Sequence, residues 1–154
     1  MVSRQFPKLS FQVQVLALLL MKNRQDITLI EVNKLKCHEQ VVESHVKEVM
    51  KQIETDGYLK RPVIAEDTNY IILDGHHRFT ALKRMGVRKI PVFLVHYESD
   101  SIRVFLRRKE LMKDLIKEIV LKRGAERILF PPKTTRHLIK NRPKIINYPL
   151  EKLI

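Results

Sequence analysis

The stretch that decides the fold is residues 72–97, which read ILDGHHRFTALKRMGVRKIPVFLVHY. An apolar segment at residues 70–73 predicts a strand that the Asp-Gly pair at residues 74–75 ends. Residues 76–85 have apolar side chains at helical spacing and a glycine after them, so they predict a helix. Residues 90–97 are again apolar and rich in β-formers, as in a buried strand. The sequence therefore predicts a strand, a polar turn, a helix and a second strand in close succession.

Residues upstream of this stretch extend the same alternation. Residues 27–32 (ITLIEV) predict a strand, and a helix capped by Ser44 is expected to end at the Asp-Gly pair of residues 56–57. Residues 62–65 predict a further strand, joined by a polar turn to the strand that follows. Strands and helices that alternate over so short a length predict an α+β fold, a compact mixed sheet with flanking helices.

Residues 101–154 are expected to be largely helical. Apolar residues at helical spacing predict a long amphipathic helix over residues 101–122 with a basic outer face. A Pro-Pro turn and a short second helix starting at Thr135 are expected to follow it. We therefore expect a single domain over residues 1–154, with its core at about 27–97 and a helical C-terminal part.

The chain is strongly basic, and the excess is concentrated at one end. It carries 30 Lys and Arg against 17 Asp and Glu, a formal net charge of +13. Residues 101–154 contain 15 basic and 5 acidic residues and so carry +10 of this charge. A basic excess attracts anions, from small phosphorylated ligands to nucleic acid.

Cysteine content and hydropathy limit the class of protein further. Cys37 is the single cysteine, so no internal disulfide and no cysteine-rich zinc site can form, which fits a reducing compartment. The longest apolar run, Val15–Met21, is far shorter than the roughly 20 residues that cross a bilayer, and it predicts a buried helix or strand. We expect a cytoplasmic protein with no membrane partner, and the sequence leaves the oligomeric state open.

The densest polar cluster of the first hundred residues is Asp74-Gly75-His76-His77-Arg78, between the predicted strand and helix. The first N–H groups of a helix lack internal partners and bind phosphate well, and Gly75 lets the backbone approach a ligand closely. Arg78 and the two imidazoles add donors, while Asp74 is suited to hold Mg²⁺ or to orient a histidine. In the alternative interpretation Asp74 is an ordinary helix cap and the others are solvated helix residues.

Two further polar clusters lie before and after this turn. Residues 131–137 (PPKTTRH) combine two hydroxyls, two cations and an imidazole, which either bind a carboxylate or phosphate or form an exposed basic turn. Cys37-His38-Glu39 follows the first predicted strand. Glu39 would serve as a general base if the fold brought it to the phosphate turn, whereas alone a surface glutamate is most often inert.

These motifs resemble those of a known superfamily. Gly75, Arg78 and Ala81 match the G-x-x-R-x-x-A phosphate-binding turn of the ParB/sulfiredoxin-like superfamily, and the resemblance covers about residues 27–97. Together with the upstream His-Glu and the downstream PPKTTRH, the chain resembles the archaeal free serine kinases over about residues 27–138. The resemblance implies a ParB/sulfiredoxin-like fold.

The resemblance also implies an activity. Free serine kinases transfer a phosphoryl group from ATP or ADP, with Mg²⁺, to the hydroxyl of L-serine, and the product O-phospho-L-serine feeds cysteine biosynthesis. The resemblance implies that Glu39 and Asp74 act in catalysis and that Asp74 also holds the magnesium. It implies that the nucleotide phosphates are bound by Gly75, His76, His77 and Arg78. It implies that the substrate is bound by Lys133, Thr134, Thr135, Arg136 and His137.

Departures from the family patterns leave two alternative functions. His76 stands where sulfiredoxins carry their catalytic cysteine, so sulfiredoxin chemistry is not expected. The chain has no tryptophan to line a serine site, which departs from the kinase pattern. The first alternative is a ParB-like DNA-binding or nuclease module, which the basic residues 101–154 would suit. The second is a non-catalytic regulator that binds a nucleotide. We expect L-serine and a nucleotide as ligands, with nucleic acid as the less favoured partner.

Overall fold

The computed structural model describes residues 10–15, 27–107 and 116–154. Its strands are β1 (Ile27–Glu31), β2 (Tyr58–Leu59), β3 (Val63–Glu66), β4 (Ile72–Asp74), β5 (Lys89–Val95), β6 (Ile102–Leu106), β7 (Thr135–Ile139) and β8 (Tyr148–Pro149). Its helices are α1 (Glu43–Asp56), α2 (His76–Arg84) and α3 (Lys117–Glu126), with 3₁₀ helices at Val32–Lys34 and Leu150–Lys152. Residues 11–15 are also helical.

A mixed sheet with the strand order β1-β5-β3-β4 lies at the centre of the described structure. β5 pairs antiparallel with β1 and parallel with β3, and β4 returns antiparallel to β3. Successive residues of β3 enter different cores, since Val63 and Ala65 pack with α1 and α2, whereas Ile64 packs with residues of β6, β7 and α3. This arrangement confirms the predicted α+β fold with a mixed sheet and flanking helices.

The elements predicted for residues 27–97 are confirmed with small shifts at their ends. Gly57 ends α1 in a left-handed conformation with φ of 75°, which glycine adopts without strain. The predicted cap of this helix is wrong. α1 begins at Glu43, Val42 is the N-cap residue, and no side chain caps the helix start.

The predicted helical C-terminal part is wrong in two places. Residues 102–106 form β6 instead of the first turns of a helix over residues 101–122, residues 117–122 belong to α3, and residues 108–115 lie outside the described residues. Residues from Thr135 onward form β7 instead of a short helix. β6 and β7 pair antiparallel, and alternate residues of β7 are buried, so the period of a strand applies there.

The turn between β3 and β4 is organised by Glu66, whose side chain is buried. Its Oε2 accepts the N–H of Thr68 at 2.8 Å, and its Oε1 accepts the N–H groups of Asn69 at 2.7 Å and Ile71 at 3.2 Å. Both carboxylate oxygens are therefore satisfied by backbone, which makes the burial of this charge tolerable.

Within the described ranges, no helix is both long and apolar enough to cross a membrane. Apart from Val15, the apolar run at residues 15–21 lies outside the described residues. The description of residues 1–154 as one domain stays a prediction.

Candidate active site

The glycine turn predicted from the sequence joins β4 to α2. Gly75 is the N-cap residue of α2 with φ of 99°, and no side chain caps this helix end. A Cβ atom on Gly75 would lie 2.9 Å from Nη2 of Arg78 and 3.3 Å from Cα of Val63. The position therefore requires glycine both for its left-handed backbone and for the guanidinium that passes over it.

Asp74, the last residue of β4, is held by two arginines. Its Oδ2 accepts a hydrogen bond from Nη2 of Arg142 and lies 3.8 Å from Nη2 of Arg78. Burial raises the pKa of Asp74, but Arg78 and Arg142 outweigh burial and hold this pKa below its ordinary value. Asp74 is thus an ionised oxygen donor beside the glycine turn.

Glu39 is brought to the same place by a pairing that the sequence does not reveal. The N–H of Phe130 donates to the carbonyl of His38, and the N–H of Gln40 donates to the carbonyl of Phe130, both at 2.8 Å. This pairing fixes the start of residues 131–135 beside Glu39. Oε1 of Glu39 then accepts the backbone N–H groups of Thr134 and, at 3.1 Å, of Thr135.

The carboxylate of Glu39 differs electrostatically from that of Asp74. Burial raises the pKa of Glu39 above its ordinary value, and the N–H groups of Thr135 and Thr134 and the charge of Arg107 offset this only in part. Both backbone hydrogen bonds fall on Oε1, so Oε2 has no hydrogen-bond partner among the described residues. A half-buried carboxylate with one free oxygen and a raised pKa is suited to accept a proton.

Three histidines are buried behind these carboxylates. His38 is 0% exposed, and its Nδ1 lies 2.7 Å from the carbonyl oxygen of Ile72 and its Nε2 2.8 Å from Oγ1 of Thr135. Burial lowers the pKa of His38 to about 4 and that of His137 to about 3, and it also lowers the pKa of His76. All three rings are therefore neutral near pH 7.

A cavity of about 770 Å³ lies in front of the glycine turn. Apolar lining comes from Val49, Ile53, Tyr58 and Leu59, and polar or charged residues of the same stretch, Gln52, Asp56, Lys60 and Arg61, line it as well. Further charged and polar lining comes from Glu39, Asp74, His77, Arg78, Arg107 and Lys133. The cavity thus combines apolar surface with cationic groups suited to an anion.

The structure brings together most of the residues that the sequence singled out. Glu39, Asp74, Gly75, His76, His77, Arg78 and Lys133 line the cavity. Thr134 and Thr135 are buried and support Glu39 from behind, and His137 is buried against Tyr97, with its Nε2 2.7 Å from the Tyr97 hydroxyl. Arg136 is separated from them, because it is exposed on the opposite face of β7 and does not line the cavity.

Arg107 and Arg142 belong to the site but were missed by sequence reasoning. Arg107 lines the cavity beside Glu39 and Lys133, and its N–H donates to the carbonyl of Thr134 at 2.7 Å. It fell inside the helix wrongly predicted for residues 101–122, where it looked like part of a solvated basic face. Arg142 pairs with Asp74 across 68 positions of sequence and belongs to no motif, so no local signal could have found it.

No group of three or more His, Cys, Asp and Glu residues suited to a metal occurs in the part of the chain that the structure describes. Asp74 lines the cavity, and its lowered pKa keeps it an ionised carboxylate. One carboxylate is consistent with Mg²⁺, which keeps several waters and is bound mostly through substrate phosphates.

Fold and site together define a ParB-type domain, and comparison with known proteins agrees. The family model for the ParB N-terminal domain matches residues 20–108, so the chain belongs to that family. The ADP-dependent L-serine kinase SerK of Thermococcus kodakarensis is 31% identical over 113 residues, which are 69% of this chain and 46% of that protein. An ATP-dependent L-serine kinase of Staphylothermus marinus is 32% identical over 80 residues, which are 49% of this chain and 32% of that protein.

Solved structures extend the comparison to the fold. A free serine kinase in complex with AMP superposes with a TM-score of 0.76 at 18% identity, covering 84% of this chain and 94% of that one. A C-terminally truncated SbnI from Staphylococcus aureus gives a TM-score of 0.70 at 16% identity, covering 84% and 90%. At these identities the likeness establishes the fold. The chain spans less than half the length of the curated relatives named above.

Proposed function

We propose that this chain is a free L-serine kinase that transfers a phosphoryl group from ATP or ADP to the serine hydroxyl. The observation that carries the proposal is the position of Glu39, whose carboxylate lines the same cavity as the glycine turn at the start of α2. Sequence similarity to named L-serine kinases supports the same activity. O-phospho-L-serine would be the product, and cysteine biosynthesis its use.

The nucleotide is proposed to span the cavity. Its adenine would lie against apolar lining such as Val49 and Ile53 from α1 and Leu59 from β2. Its phosphates would lie at the uncapped start of α2, where backbone N–H groups, the helix dipole and Arg78 favour negative charge. His76 and His77 belong to the same turn, and Lys133 extends the positive charge across the cavity.

Glu39 is proposed to be the catalytic base. The serine oxygen attacks the terminal phosphorus, the bond between that phosphorus and the nucleotide oxygen breaks, and the hydroxyl proton passes to Glu39. ADP leaves when ATP is the donor, and AMP leaves when ADP is the donor. Because phosphoryl transfer demands positioning and charge neutralisation above all, a base of modest strength suffices.

Asp74 is proposed to hold Mg²⁺, which would neutralise charge on the phosphates. Arg142, which hydrogen-bonds to Asp74, and Arg78 add positive charge around the same carboxylate. Serine is proposed to lie near Glu39, with Arg107 and Lys133 as the cations for its carboxylate. Thr134, Thr135 and His137 would shape this end of the cavity. Arg136 has the weakest support for a substrate role, since its side chain is exposed on the other face of β7.

The test is a direct assay with L-serine, Mg²⁺ and either ATP or ADP, with O-phospho-L-serine and the released nucleotide measured by mass spectrometry and phosphorus NMR. We expect equal amounts of the two products with at least one donor. Absence of O-phospho-L-serine with both donors, from folded protein that binds nucleotide, would contradict the proposal. The same assay identifies the donor.

A ParB-like DNA-binding role is the second candidate, favoured by the family and by the +10 charge of residues 101–154. A duplex binder loses affinity steeply as salt rises. Titration of a labelled duplex at about 50 mM and about 200 mM salt measures this dependence. No binding at the lower salt would eliminate the candidate. A cytoplasmic location stays a prediction in either case.

A further inference from the structure

His38 is a buried residue to which the kinase chemistry proposed above assigns no role. Its ring is enclosed by His76, Phe130 and His137, with ring centroids 4.6, 6.5 and 5.6 Å away. It lies next to Glu39 in sequence, but its side chain is 0% exposed and so cannot touch a ligand in the cavity. Whatever His38 does for the reaction must therefore act through its neighbours.

The hydrogen bonds of the ring fix its tautomer. The carbonyl oxygen of Ile72, 2.7 Å from Nδ1, can only accept, so Nδ1 carries the proton. Nε2 is then an acceptor, and the hydroxyl of Thr135, 2.8 Å away, donates to it. His38 is thereby committed to one orientation in which it holds the Thr135 side chain.

Thr135 connects this hydrogen bond to the proposed base. Its backbone N–H donates to Oε1 of Glu39 at 3.1 Å, while its hydroxyl donates to His38. On the other side, the backbone N–H of His38 donates to Nε2 of His76, the first residue of α2, at 3.3 Å. His38 therefore contacts both the segment that orients Glu39 and the turn that is proposed to hold phosphate.

We propose that His38 is a positioning residue that fixes the carboxylate of Glu39 through the Thr135 hydroxyl and keeps it in register with the start of α2. The proposal rests on the kinase function proposed above. Without an acceptor at Nε2, the buried hydroxyl of Thr135 loses its partner and the amide of Thr135 is no longer held against Glu39. A small displacement of a reacting group costs up to about 100-fold in rate.

Two substitutions at position 38 separate positioning from packing. In His38→Gln the amide oxygen reaches the position of Nε2 and can accept from Thr135. In His38→Asn the amide reaches only the position of Nδ1, so the bond to Ile72 is kept and the bond to Thr135 is lost. Both variants keep the backbone N–H that donates to His76.

We expect kcat to fall about 100-fold in His38→Asn and in Thr135→Val, with a tenfold or smaller loss in His38→Gln and nucleotide affinity retained in all three. The double variant His38→Asn/Thr135→Val should be no slower than either single variant, because both remove one hydrogen bond. Tyr97→Phe removes another buried hydroxyl bond, to His137, and controls for a general loss of stability. Equal kcat in the Gln and Asn variants, or additive losses in the double variant, would overturn the proposal.

A second measurement does not depend on turnover. Carboxyl carbon NMR follows the titration of Glu39, whose pKa the Thr135 amide lowers and whose other nearby charges are Arg107 and Asp74. The pKa of Glu39 should be higher in His38→Asn than in His38→Gln, since only the former releases that amide. Identical titrations in the two variants would refute the role of His38. If the wild-type protein makes no O-phospho-L-serine, the kinase proposal fails and this measurement still decides whether His38 positions Glu39.

Discussion

Glu66 and Glu39 are two carboxylates that the chain holds with its own backbone N–H groups, in two different regions. At the turn between β3 and β4, Glu66 uses both oxygens, with one N–H on Oε2 and two on Oε1. At the junction of residues 38–40 with residues 130–135, Glu39 uses only Oε1. Glu66 is 2% exposed, whereas Glu39 lines a cavity.

The difference teaches how a carboxylate can be structural in one place and chemical in another. A buried carboxylate whose two oxygens both accept N–H groups stabilises its turn, and Glu66 presents neither oxygen to a cavity. A carboxylate oxygen that faces a cavity without a hydrogen-bond donor lowers stability, because the loss of water around the charge is not fully compensated. The same loss raises the pKa of that carboxyl group. Glu39 thus carries a cost in stability that Glu66 avoids, and a carboxylate oxygen left open to the cavity is what the proposed base requires.

The largest expected effect comes from Glu39→Gln, which keeps the acceptor for Thr134 and Thr135 and removes the basic oxygen. Turnover of L-serine should fall about 1000-fold. The free energy of unfolding at neutral pH should stay the same or rise slightly, because the folded protein no longer has to keep a carboxylate with a raised pKa ionised. Steady-state kinetics and urea unfolding check the two halves. Turnover near the wild-type level would show that Glu39 is not the base.

Glu66→Gln is the matched control and should reverse the pattern. The amide NH₂ placed at Oε2 would face the N–H of Thr68, so one hydrogen bond is lost and two donors oppose each other. We expect a loss of about 1–3 kcal/mol in the free energy of unfolding and little change in kcat at temperatures where the variant is folded. A larger fall in kcat than in stability would break the contrast between the two glutamates.

The same contrast between turn and cavity applies to Gly86 and Gly75, which both have left-handed backbones, with φ of 82° and 99°. A Cβ atom at Gly86 would meet nothing within 4 Å, whereas at Gly75 it would lie 2.9 Å from Nη2 of Arg78. Gly86→Ala should cost about 1 kcal/mol of stability and no nucleotide affinity. Gly75→Ala should have a similar cost in stability and should also weaken nucleotide binding about tenfold, because the added methyl group displaces Arg78. Calorimetric titration measures the binding, and equal affinity of both variants would argue against phosphate at this turn.

The smallest expected effect is in the pH dependence of turnover. Glu39 must be ionised to accept a proton, and burial raises its pKa, so kcat should rise with pH along a limb centred above the usual range of a glutamate. Stability moves in the opposite sense. The protonated carboxyl of Glu39 contributes to the free energy of unfolding at low pH, and this contribution is lost as pH rises through the raised pKa. A kcat profile that is flat down to the pKa of an ordinary glutamate would contradict this.

The sequence was sufficient for the elements that pack locally and insufficient for those that pair at long range. Residues 76–85 combine helical spacing with a glycine at each end, and α2 lies there. Residues 102–106 were assigned to a helix because their apolar residues also fit a longer helical period. Their partner, β7, lies about 30 residues further on, and pairing with it favours a strand. A short helix was predicted from Thr135, although the alternation in TRHLI follows the period of a strand.

The candidate site follows the same rule. The turn from Asp74 to Arg78 could be predicted, because all its members are contiguous in sequence. That Glu39 lies beside it was implied only by resemblance, since the contact depends on the pairing of residues 38–40 with Phe130. Arg107 and Arg142 could not be predicted, because Arg107 follows a strand that was assigned to a helix and Arg142 pairs with a residue 68 positions away.

The pairing of Phe130 with residues 38–40 has a consequence for how the chain matures. The glycine turn is formed by residues 74–78, which are synthesised before residues 130–135. The amides that orient Glu39 come from those later residues. The residues proposed to hold the phosphates would thus leave the ribosome well before the residues that orient the proposed base.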